Sequence, residues 1–540
     1  MISLYYKTED RFCEYGIRHF IEKFGIPVQI NQPSQSGIVI AYGNHVNGDF
    51  VIHIEENEVQ NDICGEVTTP DDKIFICETP RDTGPGEEVI AHFERDSARY
   101  PCVVRNKDGF HIGIDIFRET GYILAGHLDS IRPGLGSAVK KEIASQPCVD
   151  FFENILFKAI LDGCCERHYP LVQKSYWPEG KTFAVCLTHD VDEIKKTYQW
   201  ISRPLRYLFR RDFSGFKGQI LSFLQKIRGL EPYYTYDDII RIEQQLGAKS
   251  TYFILKETGN ASLFSKKTWF LYGRNRTLKS SDMQELIQKL LANGDEVAVH
   301  GSYFSFRDPG LLKSEVQELE EIIHNPVIGT RQHNLNLDIP DTWIYHVSAG
   351  LGYDTTLGFK DTIGFRWGTS FPFFPNSKEK PLPLLEIPLI IMDICLESSQ
   401  SRESDCIRIT DEVRRYNGVL NLLWHPPIFN TLEYPGARQI YLSITEYSRN
   451  KDAWITRARD IFEWLTLRNR QSFSYNFEKT ICTIIPSASG GQQFFTLYLP
   501  SDSEGEIRVK NAEVIKKKGR CLYLRTDAVH SADAIVVDFP

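Results

Sequence analysis

Between Lys181 and about Leu467, short apolar runs alternate with helix-like segments. This pattern restricts the chain to parallel β/α architecture with strands buried on both faces. The runs are Phe183–Leu187, Thr251–Leu255, Val297–Val299, Val327–Ile328, Leu384–Leu389 and Val419–Trp424, with Asp237–Leu246 and Ser281–Ala292 among the helices between them. Four of the runs end in ionisable residues: Thr188-His-Asp-Val-Asp192, His300, Arg331-Gln-His333 and His425. In a β/α barrel the C-terminal strand ends converge on one rim, where catalytic groups collect. One histidine after a strand is usually a hydrogen-bonded structural residue. Recurrence at the same relative position four times is hard to explain by packing.

These residues resemble the motifs of the polysaccharide deacetylase (NodB-homology) family, over roughly Lys181 to Leu467. Thr188-His-Asp-Val-Asp192 is similar to the first motif in its D-x-D form, and Gly247-Ala-Lys-Ser-Thr-Tyr-Phe253 to the strand before the second. Asn293-Gly-Asp-Glu-Val-Ala-Val-His300 resembles the second motif up to its first histidine, Gly329-Thr-Arg331 the arginine motif, and Leu422-Leu-Trp-His425 the final L-x-x-H. Gly364-Phe-Arg-Trp-Gly-Thr-Ser-Phe-Pro-Phe373, after Tyr353–Gly358, resembles a subgroup associated with surface polysaccharides and carrying an extra N-terminal domain. The implied fold is α/β, a distorted (β/α) barrel with an N-terminal α/β domain and a small C-terminal β-sandwich.

Amide hydrolysis needs an activated water, a polarised carbonyl and a proton for the departing amine, and a divalent ion supplies the first two. Carboxylate and imidazole suit zinc, or another first-row metal. The resemblance implies that Asp192 and His300 bind the metal and that Asp190 is the general base. It further implies that Arg331 keeps Asp190 ionised and oriented, and that His425 is the general acid. Asp393 is a candidate to orient His425, against a surface or capping role. His189 stands where the family has an apolar residue and reads as structural.

The sequence departs from the family at Phe304, four residues after His300, where a further metal-binding histidine is usual. His333 is the replacement that best suits a metal, with Ser302 and Asp308 as weaker candidates. On this reading Phe304 packs beneath the site. The alternative is that His333 contacts substrate or backbone.

A long insertion follows the first motif. Nine Lys or Arg and one acid, Asp212, lie between Lys195 and Arg228, interleaved with Trp200, Tyr207, Phe209, Phe213, Phe216 and Phe223 among the aromatic residues. Such a segment could rest on an anionic membrane or grip a phosphate, but more often it is a solvated helical face over a packed stripe. The latter is the expectation here.

The flanks are less informative. Residues 1–178 mix helix-like and strand-like patterns, with strands expected at Gly37–Gly43, Phe50–Glu55 and Lys73–Cys77 and a hairpin from Cys102–Val104 and His111–Ile116. Gly134-Leu-Gly136 lacks the strand context of a dinucleotide site. Residues 179–470 are assigned to the barrel. Residues 471–540 are assigned to the β domain, with strands at Ile481–Ile485, Phe494–Leu499, Cys521–Leu524 and Ala534–Phe539 and turn signals at Gly490-Gly491 and Asp502–Gly505. A net charge of −9 without a basic or acidic tail argues against nucleic acid as partner. Met1–Phe20 does not read as a signal peptide, and the twelve cysteines contain no C-x-x-C pair, so reduced thiols and a cytoplasmic location are expected. The leading expectation is hydrolysis of an N-acetyl group on an amino sugar of a surface-glycan precursor. Hydrolysis of a non-sugar amide and non-catalytic carbohydrate binding are the alternatives.

Overall fold

The computed structural model describes residues 2–32, 37–44, 46–60, 62–135, 137–259, 271, 273–377, 380–396, 402–487, 491–500, 506–527 and 534–539. Gly136, Gly490 and Asp502–Gly505, named above, lie outside them. The chain forms two compact units. One takes in 1–182, 367–369 and 463–540, the other 183–366 and 370–462.

The first unit contains a nine-stranded mixed sheet, ordered 28–30, 2–5, 38–42, 50–54, 109–112, 98–106, 88–95, 65–68, 73–76. Its first five strands are mutually parallel, and the rest are antiparallel. The hairpin expected near residue 105 is present, Ala98–Asn106 pairing with Gly109–Ile112. Helix Arg11–Phe24 starts where Asp10 accepts from Phe12 N and Cys13 N, and stops at Gly25, whose φ of 59° suits a residue without Cβ. The strands after residue 472 form two four-stranded antiparallel sheets, one of which takes Leu171–Lys174 as its edge. Cys482, Ile484 and Val537 from one sheet share an apolar core with Phe495, Leu497 and Leu522 from the other. The residues assigned to N- and C-terminal domains therefore lie in one unit. Trp367–Thr369 of the Gly364–Phe373 segment join them, Trp367 Nε1 donating to Asp129 and Thr369 Oγ1 to Asp150.

The second unit is built on a curled parallel sheet of nine strands: β1 Phe183–Val191, β2 Thr251–Leu255, β3 Glu296–Gly301, β4 Gly329–Gln332, β5 Tyr353–Asp354, β6 Leu385–Glu386, β7 Leu389–Met392, β8 Val419–Leu423 and β9 Ala453–Thr456. The order is β6-β5-β4-β3-β2-β1-β8-β7, with β9 also on β1. The outermost strands, β6 and β7, are consecutive in the chain. Pro388 between them cannot donate to a ladder, so one run of chain pairs with β5 before the proline and with β8 after it. Helices Tyr236–Leu246, Ser281–Asn293, Pro309–Ile323, Arg402–Arg415 and Ala437–Asn450 supply residues such as Ile239, Leu286, Val316, Ile409 and Ile444 to the core of the unit, together with Val185, Ile254 and Val297 from the strands. Residues on the other face of the strands are left to build a site. The expected Val327–Ile328 strand begins two residues later, which puts Arg331 inside β4 rather than after it. Among the described residues no helix is long and apolar enough to cross a membrane.

Candidate active site

Successive side chains of a strand alternate between faces, so Thr188, Asp190 and Asp192 project together. His189 projects the other way. It is fully buried, with Nδ1 on Trp424 O at 2.6 Å and Nε2 on Glu243 Oε1 at 2.9 Å, the arrangement of a packed structural histidine. Residues of neighbouring strands are brought beside the Asp190 face. Gly329, which opens β4, lies against Tyr353, where an added Cβ would fall 2.0 Å from the ring. The absence of a side chain lets β4 and β5 pair closely and sets Arg331 in place.

Arg331 is fully buried. Its Nη1 donates to Asp190 Oδ1 at 2.8 Å and Thr188 Oγ1 at 3.0 Å, and its guanidinium lies 4.5 Å from the Phe253 ring centre. Burial works to raise the Asp190 pKa, but Arg331, with His300 and His425, outweighs it and holds the carboxyl below its usual value.

His300, at the end of β3, directs Nδ1 to Arg331 O at 2.7 Å. The Nδ1 proton is thereby committed, and Nε2 faces Asp192 Oδ1 at 3.3 Å and Asp190 Oδ2 at 3.5 Å. His333 follows the same plan: Nδ1 bonds Glu257 Oε2 at 2.7 Å, and Nε2 faces Asp192 Oδ2 at 3.9 Å. Imidazoles whose second nitrogen is fixed by a carbonyl or a carboxylate are characteristic of metal ligands. Asp192 Oδ1 is buried with no hydrogen-bond partner. Against the opposing effect of burial, Asp190 and Asp192 raise the His300 pKa, so either a proton on Nε2 or a bound cation can bridge the 3.3 Å to this oxygen. The donor set therefore fits a divalent ion, although Asp192, His300 and His333 are more widely spread than the tightest cluster of such groups among the described residues, which lies in the first unit.

Two neighbours were not legible beforehand. Glu257, two residues past β2, also accepts from the backbone N of Gly259 and of Tyr303, so it ties three loops around His333. Arg274 places Nη1 3.0 Å from Asp192 Oδ2. Against the opposing effect of burial, Arg274, His333 and His300 hold Asp192 well below the carboxylate range.

His425, just after β8, bonds Asp393 Oδ1 through Nδ1 at 2.9 Å, and its backbone N donates to Asp393 Oδ2 at 2.5 Å. Asp393 thus orients the imidazole and has no surface role. Burial disfavours the imidazolium, yet Asp393, then Asp192 and Asp190, outweigh it and raise the His425 pKa to about 9. The ring is a proton donor at neutral pH.

The other candidates are accounted for elsewhere. Asp308 caps helix Pro309–Ile323 by accepting from Leu311 N, and Ser302 Oγ bonds Thr258 Oγ1 at 2.8 Å. Phe304 does not pack beneath the site. The chain turns into the short helix Ser305–Arg307 there, leaving the ring 46 % exposed and edge-on to Tyr303.

No family model matches the sequence. No curated protein matches it either. Solved structures share parts of the fold at low similarity. A Mycobacterium smegmatis protein named as a polysaccharide deacetylase is 17% identical, covering 57% of this chain and 98% of its own, with a TM-score of 0.38. An allantoinase is 14% identical over 54% of this chain and 92% of its own, TM-score 0.36. A Bacillus anthracis family 4 carbohydrate esterase pseudoenzyme is 10% identical over 52% of this chain and 65% of its own, TM-score 0.27. At such distances the site's own geometry has to carry the chemistry.

Proposed function

We propose that this chain is a metal-dependent deacetylase that removes an N-acetyl group from an amino sugar of a surface-polysaccharide precursor. One observation supports the reading above all: a buried carboxylate held by an arginine and an imidazole held by a carboxylate flank an aspartate–histidine–histidine cluster on one end of a parallel sheet. Asp192, His300 and His333 would hold the ion, with zinc the metal best suited to two imidazoles and a carboxylate. When bound, the ion supplies Lewis acidity for the amide carbonyl and for water.

The remaining steps belong to the protein. Asp190 accepts the proton of the attacking water, and Arg331 keeps it ionised and fixed in direction. His425 donates the proton that lets the amine leave, and Asp393, accepting from Nδ1, stabilises the doubly protonated ring so that the other nitrogen has a proton to give. The base has its pKa lowered and the acid has its pKa raised, the separation that assigns acid and base roles to neighbouring groups. The test is acetate release from N-acetylated amino-sugar oligomers. Opening of a cyclic ureide or imide without acetate release would move the activity to another amide.

A second reading rests on Arg274. Its guanidinium supplies a positive charge to Asp192, so a chain that has given up the metal could keep the rim intact as a carbohydrate-binding surface. Carbohydrate binding without acetate release, in protein supplied with zinc, cobalt or nickel, would favour that reading.

A further inference from the structure

Helices Gln199–Phe209 and Phe213–Ile227 are inverted in their amphipathicity. Inward, they meet the second unit through polar groups: Glu433, almost fully buried, accepts from Lys196 Nζ at 2.6 Å, from Gln219 Nε2 at 3.1 Å and from Ser222. Outward, they present apolar side chains. Phe209 is 85 % exposed, Phe213 74 %, Ile201 69 % and Ile227 67 %, and Leu205, Leu208 and Phe223 are also bare. A solvated face over a packed stripe, as expected from the sequence, would have the opposite arrangement. Of the large apolar residues exposed among the described ones, 12 of 20 lie between Tyr198 and Leu230, which makes this a single patch rather than ordinary scatter. Arg206, Arg210, Arg211, Lys217, Lys226 and Arg228 lie in the same segment, with Asp212 as the one acid.

We propose that this helix pair docks the protein on an anionic lipid bilayer, Phe209 and Phe213 entering the interface and the arginines meeting the headgroups. A second copy of the chain would cover the apolar groups, but at the cost of opposing two strongly basic segments. Negatively charged lipid satisfies both features. The helices also line a cavity of about 540 Å³ that reaches Asp393 and Trp424. If the deacetylase reading holds, docking therefore brings the region beside His425 to the membrane.

The experiment is co-sedimentation of the full chain with phosphatidylcholine vesicles, with and without phosphatidylglycerol. Binding is expected only to the anionic vesicles, and salt should release it. Phe209→Ser with Phe213→Ser, both at exposed positions, and separately Arg206→Glu with Arg210→Glu and Arg211→Glu, should each weaken binding by about tenfold or more. Failure to sediment at low salt, equal binding to neutral vesicles, or binding unchanged in both variants would overturn the proposal. So would a salt-resistant dimer that the double serine variant dissociates. Acetate release from a soluble oligomer is unaffected by any of these outcomes, so the deacetylase reading stands or falls separately.

A different observation in the first unit carries a second proposal. His53 and Glu55 are two residues apart on extended chain, hence on one face, and His111 is the register partner of His53 on the neighbouring parallel strand. Glu55 Oε1 lies 3.3 Å from His53 Nε2 and 2.9 Å from His111 Nε2, and Arg81 occupies the other oxygen at 3.0 Å. Among the described residues these three alone bring such ligand atoms within 4.8 Å of one another. Bonds of ~2.0–2.1 Å in a tetrahedron separate ligand atoms by about 3.3 Å, close to the spacing seen.

We infer that His53, Glu55 and His111 form a transition-metal site, with zinc the best-fitting ion and a fourth position open to water. Cobalt(II) titration of the purified full chain should show one more bound equivalent in wild type than in His111→Ala or Glu55→Gln, with acetate release unchanged. Two variants guard against a folding defect in either. Equal stoichiometry and affinity in wild type and both variants would overturn the site.

Discussion

Replacing Asp393 with asparagine tests how the acid is made. Burial alone would push the His425 pKa below its ordinary value; the neighbouring carboxylates, Asp393 first, bring it to about 9. An amide in place of Asp393 removes the nearest charge, 2.9 Å from Nδ1, while leaving side-chain volume nearly constant. The His425 pKa should then fall toward or below the ordinary ~6.5, a drop of about two units or more. At pH ~7.5 the protonated fraction would decline about tenfold from that change alone, before any loss of ring orientation. The assay is a histidine proton NMR titration paired with the pH profile of kcat/KM for acetate release. In the variant, the basic limb should move to lower pH together with the NMR titration. Stability should follow the same sign. A histidine whose folded pKa is raised contributes fully below its unfolded value near ~6.5 and loses the contribution as pH rises through about 9, so the variant's stability deficit should be largest in acid and shrink toward alkaline pH. A basic limb and His425 titration that stay in place would refute the assignment of Asp393.

Asp190→Asn and His425→Ala should each lower turnover by ~10²–10⁴-fold with metal content near wild type, checked by kinetics beside elemental analysis. Arg331→Met should strand Asp190 as a buried charge and cost about 3–5 kcal/mol in urea unfolding. Glu257→Gln should weaken metal affinity by ~10–100-fold, because the carboxylate fixes the His333 tautomer. Phe304→Ala should leave metal affinity largely unchanged, since the ring is exposed.

The strands that carry the chemistry were legible because a buried parallel strand is a dense apolar run ended by a polar residue. Thr251–Leu255 matches residue for residue, and Asp190, His300 and Arg331 each occupy the penultimate position of a strand, with Asp192 just past β1 and His425 two residues past β8. Short elements were missed: Tyr353–Asp354 has two residues and no periodicity to detect. Glu257 and Arg274 were missed for another reason. They act from loops whose path depends on tertiary contacts, and in the sequence they are ordinary surface-type charges. Asp393 was visible only as a candidate, because its partner lies 32 residues away across β7 and β8. The burial of Lys196 and Glu433, which turns the basic helices inside out, joins positions 237 residues apart and has no local signature.

The central claim is that Asp192, His300 and His333 hold a catalytic metal in place of a set completed at position 304. Calorimetric titration of zinc into metal-stripped protein measures it most directly, in a His53→Ala/His111→Ala background so that the first unit does not contribute. The account predicts one tight site, lost together with acetate release in His333→Ala. No zinc binding in that background would contradict the claim outright, and tight binding indifferent to His333 would contradict the ligand assignment.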